Sequence, residues 1–144
     1  MTFSRSTRRS HGIRFTMEIK FTIPLKPVTK KNSQRIIPVG KKDDGTPVHR
    51  IVQSKQYLEY EEAAGWLLPH KGENISSPCE VKCLFYMPTH RKVDLTNLLA
   101  AIDDILVKYR VLADDNCKII VSHDGSRVLY DKEHPRTDVT IKTL

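Results

Sequence analysis

The chain has 144 residues and a formal net charge of +7, from 24 Lys and Arg against 17 Asp and Glu. Its length predicts one domain, and a composition of 39% hydrophobic and 28% charged residues excludes a disordered polymer. The sequence has no run of about 18 apolar residues, and its three cysteines lack CxxC spacing. We therefore expect a soluble, cytoplasmic domain with no membrane span, disulfide framework or zinc cluster. Its basic charge favours polyanionic partners, nucleic acid above all.

The first sixteen residues form a basic stretch with four arginines, Arg5, Arg8, Arg9 and Arg14. They lack the apolar central region of a secretion signal, so export is not expected. The alternation of polar and apolar residues that marks a half-buried strand begins only at Glu18–Ile23. The stretch is therefore either a basic nucleic-acid arm or a non-native or disordered extension before a natural start at Met17. The second interpretation is favoured, which places the domain at residues 17–144.

The segment from residue 24 to residue 42 carries six basic residues, three prolines and no acid. This composition is typical of a loop interrupted by short extended pieces. The tight-turn sequence Asp43-Asp44-Gly45, which lies between two extended stretches, predicts a hairpin. The basic residues either contact a polyanion or serve only the solubility of a mobile surface loop.

A first helix is predicted after Ser54, a residue suited to cap it, and Pro69 is expected to end it. Its apolar positions are Tyr57, Leu58, Ala64, Leu67 and Leu68. Alternation over Glu80–Met87 predicts a strand whose apolar face carries Val81, Cys83, Phe85 and Met87. Cys79 and Cys83 are expected to be core thiols, because they lie in or beside a strand and not on a helix.

The clearest predicted element is a second helix with an apolar stripe at helical spacing. The stripe consists of Leu95, Leu98, Leu99, Ile102, Ile105, Leu106 and Tyr109. Either Asp94 or Thr96 is suited to cap its start. Further strands are predicted at Cys117–Ser122 and Asp138–Lys142, joined through a loop that ends at Pro135. This order predicts an α+β domain, in which a mixed β-sheet carries two main helices on one side.

Three acidic features lie on or beside the second helix. Asp94 follows the basic run His90-Arg91-Lys92, Asp103 and Asp104 lie within the helix, and Asp114 and Asp115 follow it. Hydrolysis of a phosphodiester uses carboxylate-held divalent metal, because the ion activates water and neutralises charge developing on the phosphate. Each acid also has a structural interpretation, as a helix cap or a turn residue, and spacing alone favours it for each acid taken singly.

Whether Asp94 and Asp115 meet depends on the path of the chain after the second helix. That helix is about 21 Å long, and residues 109–115 reach at most about 25 Å. The two carboxylates meet only if this connection runs straight back; otherwise Asp115 acts beside another element or a partner subunit. No GxSxG, HExxH or phosphate-binding glycine loop competes. His90 and His123 are interpreted as surface or phosphate-contact residues, and the aromatic side chains as core, so no base-stacking platform is expected.

The segment MPTHRKVDLTNLLAAIDDILVKYRVLADDN resembles the RusA family of Holliday junction resolvases. The likeness extends over most of residues 17–144 and includes the KPVTKKNS loop and the SKQYLEYE helix start. It implies a RusA-like fold and a homodimeric endodeoxyribonuclease, dependent on Mg²⁺ or Mn²⁺, that cleaves four-way DNA junctions in recombination and repair.

The same resemblance implies roles for individual residues. Asp94 and Asp115 match the family's metal-binding aspartates, Asp114 matches a supporting neighbour, and Asn97 matches the motif asparagine beside them. The expected catalytic residues are Asp94, Asp115 and Asn97, the expected metal ligands are Asp94, Asp115 and Asp114, and Asp104 matches an acidic helix position. The residues expected to grip the DNA backbone are Lys30, Lys31, Arg35, Arg91 and Lys92.

Two positions depart from the family motif D-x-D-N-x-x-K. Thr96 replaces the second aspartate, and a hydroxyl is a poorer Mg²⁺ ligand than a carboxylate. Ala100 replaces the lysine, which removes a charge that could steady phosphate or the transition state. These departures support an alternative, a catalytically weak or inactive junction-binding protein with a degenerate metal site. A third hypothesis is a basic structural or interaction protein whose acids are only caps and turns.

The distribution of charge indicates DNA binding better than the net charge does. Four of the positive charges lie before Met17, and the remaining 20 Lys and Arg against 17 Asp and Glu leave only +3. The acid-free stretch from Lys26 to Lys42 and the basic run before Asp94 are more specific signals.

Overall fold

Within residues 2–10, 12–30 and 34–144, which the computed structural model describes, the chain forms eight strands and two helices. Their bounds are β1 Thr2–Ser10, β2 Gly12–Ile23, β3 Gln34–Lys41, β4 Pro47–Gln53, α1 Lys55–Leu67, β5 Cys79–Met87, α2 Leu95–Lys108, β6 Ile120–Ser122, β7 Arg127–Tyr130 and β8 Arg136–Thr143. β3 and β4 are the predicted hairpin and pair as a separate two-stranded sheet. No helix in the described ranges is long and apolar enough to cross a membrane.

Six strands form one mixed sheet in the order β1-β2-β8-β5-β6, with β7 also paired to β5. β2 and β5 run antiparallel to β8, whereas β5 is parallel to β6 at its start and to β7 at its end. Because side chains alternate between the faces of a strand, every second residue of the central strands enters one core that both helices also line. These core residues are Ile19, Phe21, Ile23, Val81, Cys83, Phe85, Val139 and Ile141. The predicted α+β class is confirmed.

α1 begins at the predicted cap, where Ser54 Oγ accepts a hydrogen bond from Tyr57 N at 3.2 Å. The helix buries Tyr57, Tyr60, Ala64 and Gly65. Two of the apolar positions at helical spacing, Leu58 and Leu67, are instead 49% and 42% exposed. The buried stripe is therefore narrower than the apolar spacing indicates.

α2 buries five residues of the predicted stripe, Leu98, Leu99, Ile102, Ile105 and Leu106, together with Ala101. The predicted Leu95 and Tyr109 are half-buried. At its end, Arg110 is left-handed, with φ +58°. Val111 N donates to Leu106 O at 2.9 Å and Arg110 N donates to Val107 O at 3.1 Å, which is a Schellman cap. This cap reverses the chain, and Val111 O then accepts from Ile75 N at 3.0 Å. The connection after α2 is thus bound to the segment before β5.

The edges of the sheet differ from the prediction. β2 begins at Gly12 and residues 2–10 pair with it, so the stretch expected to be disordered is strand where the structure describes it. That Met17 is the natural start stays a prediction. The strand predicted at Cys117–Ser122 is wrong in its first half, because Asn116 O accepts from Ile119 N and Ile120 N in a turn. β7 lies in the stretch predicted as loop.

The two cysteines predicted to be core thiols, Cys79 and Cys83, are fully buried. Cys79 Sγ donates to Ile119 O at 3.1 Å. Burial, with the nearby charge of Asp103, raises the pKa of the Cys79 thiol to about 11, and the same causes raise the pKa of Cys83. Both thiols are therefore protonated and unreactive at neutral pH.

Candidate active site

Asp94 is the N-cap residue of α2, but its side chain makes no capping hydrogen bond. Its backbone oxygen accepts from Asn97 N and Leu98 N at 3.1 and 3.2 Å. Its carboxylate oxygen Oδ2 accepts instead from Asn97 Nδ2 at 3.2 Å. The interpretation of the Asp94 side chain as a helix cap is therefore wrong. The exposed carboxylate is held by a neutral amide, and its remaining lone pairs are open to a ligand.

Asp114 organises the turn that follows α2. Its Oδ1 accepts from Asp115 N at 2.7 Å and its Oδ2 accepts from Asn116 Nδ2 at 3.1 Å. These hydrogen bonds lower the pKa of the Asp114 carboxyl. With both oxygens engaged, Asp114 fixes the conformation of the turn and the position of its neighbour.

The carboxyl of Asp115 lies in a more negative environment than that of Asp114. Partial burial, the contact with the Asp114 carboxyl and the charges of Asp104 and Asp114 together raise the pKa of Asp115. A carboxylate crowded by other carboxylates is a position where a bound cation is favourable. The structure therefore brings Asp104, Asp114 and Asp115 into one acidic cluster beside the later turns of α2.

Asp94 does not belong to this acidic cluster. It precedes Asp104 by ten residues on α2, which is about 15 Å along the helix axis. The connection after α2 brings Asp115 within reach of the charge of Asp104 and then turns at Asn116 towards β6. In the described ranges, no three His, Cys, Asp or Glu side chains come close enough to hold one metal ion together.

Three of the five residues expected to bind the DNA backbone have described side chains, and these lie in two places. Lys30 is part-buried and its ammonium group pairs with Asp104 Oδ2, so it offsets the charge of Asp104. Arg91 and Lys92 are exposed between β5 and Asp94. Lys31 lies outside the described residues, as does the side chain of Arg35, although its backbone is part of β3.

A part-buried ion pair between Asp103 and His123 is the feature that sequence reasoning missed. His123 Nε2 donates to Asp103 Oδ2 at 2.9 Å and Nδ1 donates to Val81 O at 2.8 Å. Both partners only accept, so the ring is satisfied as an imidazolium, and the hydrogen bond to Asp103 raises the pKa of His123. His123 is half-buried and not a fully exposed surface residue, and the alternative of a phosphate contact stays a prediction. Spacing gives no signal for a pair twenty residues apart on different elements.

The donors at this site are of the kind that Mg²⁺ and Mn²⁺ bind. Asp94 and Asp115 offer exposed carboxylate oxygens, and Mg²⁺ in particular is commonly held by one or two carboxylates together with water and substrate phosphates. The donor set therefore fits a metal site completed by substrate or by a second copy of the chain, and does not fit a closed protein cage.

One comparison with known protein families gives a match. The family model described as Endodeoxyribonuclease RusA matches residues 24–142. The matched region contains both helices, the turn at Asp114 and Asp115, and nearly all of the strands after β2. Comparison with curated proteins finds no significant match. The chain belongs to the RusA family of endodeoxyribonucleases.

Proposed function

We propose that the chain is a structure-selective endodeoxyribonuclease that cleaves four-way (Holliday) DNA junctions with Mg²⁺ or Mn²⁺, as a cytoplasmic homodimer in recombination and repair. The observation that carries the proposal is the Asp94 carboxylate, which caps nothing, has no cationic partner among the described residues and is held by the motif asparagine. Membership in a family of endodeoxyribonucleases supports the reaction class.

In this mechanism Asp94 of one copy of the chain and Asp115 of another would hold the metal ion, because Asp94 lies outside the acidic cluster of its own chain. Two other residues keep these carboxylates in place. Asn97 orients Asp94 through its amide, and Asp114 supports Asp115 by fixing the turn through the Asp115 backbone N–H. When bound, the ion activates a water nucleophile and offsets charge developing on the phosphate. A second copy of the chain is the natural source of further carboxylates, because no three His, Cys, Asp or Glu side chains in the described part of one chain are close enough to hold one ion.

Lys30 offsets the departure at Ala100. Asp104 is one helical turn beyond Ala100 on the same face of α2, and the Lys30 ammonium group pairs with it. A cation from the loop before β3 therefore lies near the position where the family motif has its lysine. This contact supports an active variant, with Lys30 serving the site as well as DNA phosphates.

The DNA backbone would be bound by four basic residues, the exposed Arg91 and Lys92 and the loop residues Lys31 and Arg35. Such contacts give affinity with little sequence information and make binding fall with salt. A symmetric dimer suits the substrate, because a four-way junction presents equivalent strands that need two coordinated cuts.

The test is cleavage of a synthetic four-way junction with and without Mg²⁺ by the wild-type chain and by Asp94→Asn. Asp43→Asn, in the exposed turn of the β3–β4 hairpin, is the matched control. We expect metal-dependent products from the wild type and the control, and cleavage reduced at least about a thousand-fold in Asp94→Asn, equivalent to about 4 kcal/mol. Equal inertness of all three proteins with tight junction binding would overturn the enzymatic proposal.

That outcome would establish the second candidate, a junction-binding protein with a degenerate metal site. Thr96 and Ala100, both exposed on the first turns of α2, favour it because they replace a carboxylate and a lysine of the motif. Its signature is binding that falls steeply with salt, without any metal-dependent product.

A further inference from the structure

A stacked pair of aromatic side chains lies at the exit of the strand that leads to Asp94. The rings of His90 and Tyr130 have centroids 3.9 Å apart and planes inclined by 25°. β5 and β7 are parallel with Met87 opposite Tyr130, and Asp131 N donates to Met87 O at 2.9 Å. Both strands therefore end at the same edge of the sheet, and His90, three residues beyond Met87, folds over the end of β7.

The His90–Tyr130 pair is a surface feature and not part of the core. Tyr130 is 44% exposed and His90 is also exposed. Stacking covers one face of each ring, and the exposed part of each side chain remains in contact with solvent. The interpretation of the tyrosines as core residues is therefore wrong for Tyr130. A flat exposed π face is the surface on which nucleobases stack without regard to sequence.

The charges around the pair complement a nucleic-acid strand. Arg91 and Lys92 directly follow His90, are exposed, and form no ion pair with an acidic side chain of the described ranges. Arg136 of β8, in contrast, already has partners within the chain. Its Nη1 donates to Asp131 Oδ2 at 2.9 Å, and its guanidinium lies 3.8 Å from the centroid of the Tyr86 ring. Asp131 is thereby neutralised, and Arg91 and Lys92 remain free to bind phosphate beside the rings.

We propose that the His90–Tyr130 pair is a stacking platform for an unpaired nucleobase at the branch point, with its flanking phosphates held by Arg91 and Lys92. The inference rests on the proposed function, because it places the branch point four residues from Asp94 along the chain. In this proposal base stacking selects branched DNA, and the aspartates bind the metal ion.

The test uses the full-length chain, a four-way junction with 2-aminopurine at the branch point, and an oligo(dT) strand. Tyr130→Leu and His90→Ala remove one ring each, Tyr130→Phe keeps the ring, and Val121→Ala changes an exposed apolar residue of β6 as the control.

We expect the wild type to quench the fluorescence of 2-aminopurine. We expect Tyr130→Leu and His90→Ala to weaken binding of the junction and of oligo(dT) about ten-fold or more, within the range for loss of one stacked base. Tyr130→Phe and Val121→Ala should match the wild type, and affinity for plain duplex should not change.

The outcomes separate this inference from the function on which it rests. If the wild type cleaves junctions and the ring-removing variants bind and quench as the wild type does, the platform is wrong and the nuclease proposal stands. If the wild type fails to cleave but binds oligo(dT) in a Tyr130-dependent way, the platform stands and the nuclease proposal fails. His90→Ala changes a residue outside the strands, so the test does not depend on β7 tolerating Tyr130→Leu.

Discussion

The carboxylates at the start of α2 and within its later turns carry the same charge in different surroundings. Asp103 accepts a hydrogen bond from His123, and Asp104 pairs with Lys30. Asp94, at the start of the helix, contacts only the neutral amide of Asn97 among the described residues. A part-buried carboxylate needs a cation, whereas an exposed carboxylate without one is stable in water and open to a ligand. From this comparison we infer a structural role for Asp103, and the functional role proposed for Asp94 stays a prediction.

The largest effect is expected at Asp94. Asp94→Asn should lower metal-dependent junction cleavage at least about a thousand-fold. Its free energy of unfolding should stay within about 0.5 kcal/mol of the wild type, because the side chain is exposed and caps nothing. Urea titration and a cleavage assay on the same preparation measure both. A large loss of stability in Asp94→Asn would break the comparison.

The opposite result is expected at His123. His123→Gln removes the cation beside Asp103, whose other oxygen, Oδ1, is buried without a hydrogen-bond partner among the described residues. We expect the free energy of unfolding to fall by about 2 kcal/mol, measured by urea titration against Asp43→Asn as the control. Cleavage by the folded variant should stay within a few-fold of the wild type. A selective loss of cleavage with full stability would place His123 in the catalytic machinery.

A smaller loss is expected where α1 meets α2. A Cβ at Gly65 would collide with the Tyr109 ring, whose hydroxyl donates to Glu61 O at 3.1 Å. Gly65→Ala should therefore destabilise the protein by about 1–2 kcal/mol, although alanine favours the helix by about 1 kcal/mol. Thermal unfolding measures the loss, and the double variant Gly65→Ala/Tyr109→Leu should recover part of it because the colliding ring is gone. A more stable Gly65→Ala would show that the two helices pack less closely than described.

The smallest effect is a dependence of stability on pH. The hydrogen bond and charge of Asp103 raise the folded-state pKa of His123 above the unfolded value near 6.5. The stabilisation is therefore complete below that unfolded value and is lost as the pH rises through the folded-state pKa. Unfolding measured from pH 6 to pH 9 should show the wild type losing stability relative to His123→Gln. A constant difference between the two proteins across this range would contradict an ionised pair.

Elements governed by local rules could be predicted from the sequence. The Ser54 cap, the apolar stripe of α2 and the turn at Gly45 depend on residues within a few positions of one another, and the structure confirms them. β7 could not be predicted, because Arg127–Tyr130 has no alternating buried pattern and exists by pairing with β5, about forty residues earlier.

The candidate site also has local features that could be predicted from the sequence and long-range contacts that could not. The resemblance identifies Asp94, Asn97 and Asp115, and the contact between Asp94 and Asn97 is local to one helical turn. The partners that decide which acids are structural come from elsewhere in the chain, His123 for Asp103 and Lys30 for Asp104. Neither contact follows from spacing, because each depends on how the sheet and its loops pack against α2.

The Asp94 carboxylate is proposed as a metal ligand, whereas Asp103 is proposed as a structural anion. The most direct measurement is anomalous diffraction from crystals of the wild type and of Asp94→Asn soaked in Mn²⁺. We expect a peak about 2.1 Å from an Asp94 carboxylate oxygen, absent from the Asp94→Asn crystals, and none at Asp103. Mn²⁺ bound at other acids while Asp94 contacts none, or an identical peak in both crystals, would contradict the claim.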